Sequence, residues 1–250
     1  MNKATGKISI IMPAYNEEAR LYENILEVGR VLGEDGAPFE IIVVDDGSQD
    51  RTLAQAQKAA GEFAHVLVVQ YPVNAGKGQA LREGFARATG DYVVFLDSDL
   101  DLPPGQIRRL LDILEKEGAD AVIGSKRHPE SQVQRPWQRK VLSNGYYFLV
   151  KLMFGLPLRD TQTGLKIFRC EVLKKVLPRL RVRRFAFDLE LLAVAHQDGY
   201  KIAEAPVVVR HRRKFGRIGF WPVWETWRET LGVFYRMKIL RAYPRPGLGR

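Results

Sequence analysis

Short apolar runs alternate with stretches of helical period through the first hundred residues, and this alternation constrains the fold more than any other feature of the chain. Strands are predicted at Ile8–Met12, Phe39–Val44, His65–Gln70 and Tyr92–Leu96. Helices are predicted at Glu18–Leu32, from a cap at Ser48 or Asp50 to about Ala60, and at Lys77–Ala88. In the first of these, Leu21, Ile25, Val28 and Leu32 recur at the spacing of one helical face. A parallel neighbour is reached only through a crossover, so strand–helix–strand units of this length predict an α/β fold: a mostly parallel, Rossmann-like sheet with helices on both faces.

Each strand runs into a polar cluster: Pro13-Ala14-Tyr15-Asn16-Glu17, Asp45-Asp46-Gly47-Ser48, Asn74-Ala75-Gly76-Lys77-Gly78 and Asp97-Ser98-Asp99. Turn chemistry or helix capping accounts for any one of them. Four at a single sheet edge predict a site, because open parallel sheets bind ligands beyond the carboxyl ends of their strands. Gly76-Lys77-Gly78 is not a phosphate loop, which needs glycine where Tyr71 stands and Ser or Thr where Gly78 stands. The last cluster is the sharpest. The run Tyr92-Val93-Val94-Phe95-Leu96 ends abruptly in Asp97, Asp99 and Asp101, whose charges repel unless a divalent cation sits between their oxygens. Such hard oxygen ligands favour Mg²⁺ or Mn²⁺. The competing reading is an acidic loop ahead of a helix begun by Pro103-Pro104.

The 250 residues, 46% hydrophobic, suffice for one principal core with a small appendage. The single cysteine, Cys170, rules out a disulfide framework and a cysteine zinc site and suits a cytosolic chain, and the four histidines show no ligand spacing. The apolar run at residues 8–13 is a strand's length, short of a secretory core, and no stretch approaches the roughly 18 apolar residues of a membrane span. The net charge of +10 is unevenly placed: from Val207 onward eleven Lys or Arg face only Glu225 and Glu229. That asymmetry predicts an anionic partner, nucleic acid or a membrane surface.

Taken together and in order, Pro13-x-Tyr15-Asn16-Glu17, Asp45-Asp46-Gly47-Ser48-x-Asp50-x-Thr52, Gly76-Lys77-Gly78-x-Ala80-Leu81, Asp97-x-Asp99 and Gly124-Ser125 resemble family 2 inverting glycosyltransferases of the GT-A fold. The resemblance runs from about residue 8 to 210. Within that family, Asp160-Thr161-Gln162-Thr163-Gly164-Leu165-Lys166-x-Phe168-Arg169 and Phe187-Asp188-Leu189-Glu190-Leu191-Leu192 resemble the dolichyl- or polyprenyl-phosphate mannose and glucose synthases. The resemblance implies that Pro13, Tyr15, Glu17, Val44 and Asp46 hold the nucleoside of a nucleotide sugar, GDP-mannose or UDP-glucose. Asp97 and Asp99 would flank its diphosphate, with Asp99 and more weakly Asp101 as metal ligands, and Lys77 and Ser98 are further nucleotide-sugar-binding candidates. Arg139 and Ser143, four apart on one helical face, match acceptor-phosphate positions, and Asp188 is a further acceptor-side candidate. Asp97, Asp99 and Arg139 are the residues expected to carry the chemistry. Two motifs depart from the family pattern. Gly124-Ser125-Lys126-Arg127 leaves Lys126 or Arg127 to face the phosphates, and Gly216-Arg217-Ile218 leaves Arg213, Lys214 or Arg217 as the later cation.

The expected layout is a catalytic domain over residues 1–215, with an acceptor- and membrane-facing helix at about 135–155, followed by a basic amphipathic tail over 216–250. Trp221, Trp224, Trp227, Leu231 and Phe234 recur at helical spacing among Arg228, Arg236, Lys238 and Arg241. Tryptophans among cations suit a headgroup boundary, an ordinary core-facing helix is the competing reading, and no nucleic-acid recognition motif accompanies them. The expected enzyme is thus a peripheral hexosyltransferase on the cytosolic face of an anionic membrane, using Mg²⁺ or Mn²⁺ and acting on dolichyl or polyprenyl phosphate, with the need for a separate membrane subunit left open. A hydroxyl acceptor is the alternative, with Asp188 or Glu190 as base. An inert nucleotide-sugar-binding module is a third reading.

Overall fold

The computed structural model describes residues 6–133, 137–210 and 220–244; of 35, 137–142 and 220–222 it describes the backbone alone. Seven strands form one sheet in the order β3-β2-β1-β4-β6-β5-β7. The strands are β1 (Ile8–Ala14), β2 (Phe39–Asp46), β3 (Val66–Tyr71), β4 (Tyr92–Leu96), β5 (Ala121–Ser125), β6 (Leu165–Arg169) and β7 (Ile202–Pro206). β1 pairs in parallel with β2 and β4, and β5 with β7, while β6 runs antiparallel between β4 and β5. The expected sheet, mostly parallel with covered faces, is present.

Alternation along each strand divides the core. Ile8, Ile10 and Met12 point to one face, where they meet α1 (Leu21–Asp35), α2 (Thr52–Glu62) and α4 (Ile107–Lys116). Ile11, Val44, Val93 and Phe95 point to the other, against α3 (Lys77–Phe85), α5 (Trp137–Phe154), α6 (Cys170–Val176), α7 (Phe187–Gln197) and α8 (Phe220–Phe234). Near-continuous apolar strands are what a sheet buried on both faces requires.

The chain builds outward from β1 through β2 to β3, then returns through α3 to place β4 on the opposite side of β1. That reversal opens a crevice beyond the ends of β1 and β4, the place where doubly wound sheets receive ligands. Because β6 is antiparallel, its first residue, Leu165, pairs with Leu96, the last of β4. The segment entering β6 therefore arrives at the same edge as Asp97.

Two boundaries differ from expectation for an identifiable reason. The first helix begins at Leu21, not Glu18, because residues 16–18 are tied to the loop after β2. Asn16 N donates to Ser48 Oγ at 3.0 Å, Glu17 N to Thr52 Oγ1 at 2.7 Å and Glu18 N to Asp50 Oδ2 at 3.2 Å. The second helix begins at Thr52, whose backbone N–H bonds Asp50 Oδ1 at 2.9 Å. Asp50 thus organises that start, and the Ser48 hydroxyl serves the neighbouring loop.

Candidate active site

A cleft of about 500 Å³ lies at the carboxyl edge, lined from β1 by Pro13, Tyr15 and Glu17, from β2 by Asp46, and from β4 by Asp97, Ser98 and Asp99. Lys77 and Asp188 join it from the starts of α3 and α7, and Arg184 and Phe185 from the loop before α7. Nine residues singled out in the sequence thus converge here. Val44 does not: its side chain is fully buried in the core.

Asp46 shapes one wall. Its carboxylate accepts from Ala75 N at 2.7 Å, Gly76 N at 2.9 Å and Asn74 Nδ2 at 3.1 Å, which folds the segment before α3 around it. Gly76 sits at φ 99°, and a Cβ there would fall 2.5 Å from Arg184 Cγ, so both backbone and space require glycine.

The floor is an alternating row of charges. Lys77 Nζ lies 2.7 Å from Asp97 Oδ1 and 3.5 Å from Asp188 Oδ2, and Lys166 Nζ lies 2.8 Å from Asp188 Oδ1. Burial alone would lower the Lys77 pKa, but the Asp188 and Asp97 charges outweigh it and hold the ammonium above its ordinary value. For Lys166 burial prevails, and its pKa is lowered despite Asp188. Burial also opposes ionisation of Asp97, yet Lys77, aided by Lys166 and Lys126, keeps its carboxyl below the usual range. Asp99 moves the other way, pushed up by burial and by the charge of Asp97.

The turn carrying these acids is rigidly set. Leu100, fully buried, adopts φ 50° and donates its N–H to Asp97 O at 3.2 Å. A left-handed leucine costs about 1–2 kcal/mol, which its burial offsets. Asp101 does not line the cleft; its N–H donates to Asp99 Oδ1 at 3.1 Å and so helps aim Asp99. Among the described residues no three His, Cys, Asp or Glu side chains form a metal cage.

A second cavity of about 510 Å³ opens beside the first, between α5, α8 and the loop before β6. Arg127 and Ser143 mark its polar end, with Arg127 Nη2 donating to Ser143 Oγ at 2.8 Å and Nη1 to Asn144 Oδ1 at 2.8 Å. Its remaining walls include Tyr147, Val150, Leu158, Val223 and Trp227. Gln162 lines both cavities, and its Nε2 donates to Tyr146 Oη at 3.3 Å. The two cations left open by the sequence therefore diverge: Lys126 acts electrostatically on Asp97 and Asp99, whereas Arg127 faces the second cavity.

The model for glycosyl transferase family 2 matches residues 9–177, more than half of the chain. The chain belongs to this family. It is 33% identical over 213 residues to a dolichyl-phosphate β-glucosyltransferase of Trichomonas vaginalis, covering 82% of this chain and 66% of that protein. It is 34% identical to the Drosophila melanogaster dolichyl-phosphate β-glucosyltransferase and 32% to the Homo sapiens one, covering 93% and 94% of this chain and 76% of each relative. The chain thus spans just under two thirds of the Trichomonas protein and about three quarters of the other two. In fold it is similar to glucosyl-3-phosphoglycerate synthase from Mycobacterium tuberculosis, solved with Mn²⁺, UDP-glucose and phosphoglyceric acid. That likeness has a TM-score of 0.70 at 24% identity, over 99% of this chain and 84% of the other.

Within this family 2 chain, several expected residues stand elsewhere or beyond description. Arg139 lies on α5 with its side chain outside the described residues, and Arg213, Lys214 and Arg217 lie outside them altogether. Glu190 does not line the cleft: its carboxylate accepts from Arg181 N at 2.9 Å and Val182 N at 2.8 Å, and it also receives the Tyr243 hydroxyl. Site residues not picked out individually from the sequence are Lys166 and Gln162. Both stand in the Asp160–Arg169 motif, whose density of polar residues around Gly164 was their only signal.

Proposed function

We propose that this chain transfers glucose from UDP-glucose to a polyprenyl-type phosphate such as dolichyl phosphate, with inversion at the anomeric carbon, on the cytosolic face of a membrane. The observation that carries the proposal is the junction of two unlike cavities at Gln162: one polar and carboxylate-bearing, the other with an arginine–serine end and apolar walls. A phosphate joined to a hydrocarbon chain matches the second. The glucosyl group in the relatives' names supports glucose, and UDP-glucose is bound in the mycobacterial structure.

The donor would lie with its nucleoside near Pro13, Tyr15 and Glu17 and its diphosphate between Lys77 and the Asp97–Asp99 pair. A Mg²⁺ or Mn²⁺ ion suits that pair, because Asp99 ionises reluctantly beside Asp97 and the diphosphate oxygens would complete a ligand set the protein leaves short. When bound, such an ion stabilises negative charge on the leaving phosphate. The remaining steps belong to the chain's own residues. Arg127, Ser143 and Arg139 would hold the acceptor phosphate at the Gln162 junction. Its oxygen forms a bond to C1 while the C1–O bond to the β-phosphate breaks and that oxygen keeps the electron pair. An anionic acceptor has no proton to surrender, so no general base is needed, consistent with Asp188 being held between two lysines.

Membrane residence is supported by the outer faces of α5 and α8. Phe148 and Leu152 are 66% and 87% exposed, and Trp224 and Leu231 are each 53% exposed. Thr230, Val233 and Met237 hold the opposite side of this C-terminal segment in the core. No helix among the described residues is long and apolar enough to cross a membrane.

The deciding assay offers labelled UDP-glucose and GDP-mannose separately to the protein with vesicles containing polyprenyl phosphate and Mn²⁺ or Mg²⁺. Label entering the lipid fraction from UDP-glucose, and lost in Asp99→Ala, is the expected result. Transfer from neither donor, with nucleotide still bound, would overturn the lipid-phosphate acceptor.

A further inference from the structure

A third concavity, of about 690 Å³, lies on the far side of α8 from the acceptor cavity. Arg181, Arg183 and Arg184 from the loop before α7 face Arg228 and Arg236 of the C-terminal helical segment across it. Two of these five have internal tasks. Arg236 Nη2 lies 3.6 Å from Glu190 Oε1 and its Nε donates to Tyr243 Oη at 3.1 Å, while Arg184 Nη2 donates to Asn74 O at 3.3 Å. The side chains of Arg181, Arg183 and Arg228 have no carboxylate partner among the described residues. The one acid in the groove, Glu229, spends an oxygen on Ala186 N at 2.8 Å. Gathering like charges around one hollow is unfavourable unless an anion enters it.

The position of the groove says which anion. Along α8, Trp224, Arg228 and Leu231, followed by Tyr235 after the helix, recur at three- and four-residue spacing and form its outward stripe. Val223, Thr226 and Trp227 on one flank line the acceptor cavity; Glu229 and Gly232, followed by Arg236, on the other flank line the basic groove. The two hollows therefore flank an exposed aromatic stripe, one on either side. A surface that buries that stripe brings its own headgroups to the groove mouth.

We infer that the Arg181–Arg183–Arg228 groove is a docking site for the phosphate headgroup of an anionic phospholipid, distinct from the acceptor cavity and adjoining the donor cleft only at Asn74 and Arg184. This rests on the membrane residence proposed above. Bidentate guanidinium–phosphate pairing suits arginine here, and the site fixes which way the acceptor cavity faces along the bilayer.

The test is co-sedimentation of the full chain with vesicles of phosphatidylcholine alone or mixed with phosphatidylglycerol. It uses wild type, the triple variant Arg181→Gln, Arg183→Gln, Arg228→Gln, and the pair Trp224→Ala, Leu231→Ala. The wild type should prefer the anionic vesicles, and the triple variant should lose that preference by on the order of 100-fold, at about 1 kcal/mol per arginine. Its binding to phosphatidylcholine and its transfer to polyprenyl phosphate in detergent should not change. The tryptophan–leucine pair should bind both vesicle types more weakly. An undiminished anionic preference in the triple variant overturns the groove while leaving membrane residence standing. A wild type that sediments with neither vesicle overturns both.

Discussion

Lys166 places its Nζ 2.8 Å from Asp188 Oδ1 with both side chains almost fully out of water, and Lys77 reaches the other Asp188 oxygen at 3.5 Å. One buried carboxylate thus offsets two ammonium groups at the floor of the donor cleft. A pair this enclosed gains little over a hydrophobic one, but losing a single partner strands the other.

Asp188→Asn is therefore expected to cost about 3–5 kcal/mol, lowering Tm by about 6–20 °C in a chain of this size. Adding Lys166→Met should recover much of that loss, which calorimetry on the single and double variants will read. Were Asp188 instead a general base for a hydroxyl acceptor, the double variant would regain stability while transfer to that hydroxyl acceptor stayed abolished.

Gly164 admits Asp97 to the cleft. A Cβ at this position would lie 2.0 Å from Asp97 Oδ2, while Gly164 O accepts from Asp97 N at 3.1 Å. Gly164→Ala should displace the carboxylate by an ångström or so and reduce kcat/KM by on the order of 100-fold. Far-UV circular dichroism should be unchanged. Near-wild-type transfer would mean that Asp97 need not occupy this place.

Asp97 and Asp99 were legible because a buried strand that ends in carboxylates has few structural reasons to do so. Lys166 was not. It stands in the five-residue run of β6, between Leu165 and Ile167, where nothing in the sequence reveals that the strand inserts antiparallel between β4 and β5. The regular alternation that made the first half readable stops after β5, and long-range pairing decides the rest. The Glu18 boundary failed for a related reason: the bonds from residues 16–18 to the loop after β2 cross about thirty positions, and local helix signals carry no trace of them.

The two neighbouring acids predict opposite pH effects. Asp97, held low, adds stability at neutral pH that is lost as pH falls from the ordinary carboxylate range through its depressed value. Asp99, pushed up, subtracts stability once ionised, a penalty that fades as pH falls through its raised value toward the ordinary one. Asp99→Asn should accordingly raise the Tm of the metal-free protein at pH 7 by about 2–4 °C, taking about 1 kcal/mol for screened like charges. The gain should vanish in acid. Mn²⁺ should raise the Tm of the wild type and not of the variant, and transfer should be lost. A variant that is no more stable than wild type at pH 7 would remove the repulsion argument for the metal.

In the proposed reaction Gln162 would stand where the anomeric carbon meets the acceptor phosphate, since it lines both cavities and donates to Tyr146 Oη, which in turn lies 3.1 Å from Thr230 Oγ1 of α8. Its amide is thus steadied from the C-terminal helix while its oxygen stays available to a sugar hydroxyl. Gln162→Ala should lower kcat with UDP-glucose by about 10–100-fold, the loss of one or two hydrogen bonds made in the transition state, and should leave the Kd for UDP nearly unchanged. Tyr146→Phe removes only the support and should cost less than tenfold. A rise in KM for the lipid phosphate at constant kcat would place Gln162 on the acceptor alone. Loss of UDP affinity would instead move it into the nucleotide site.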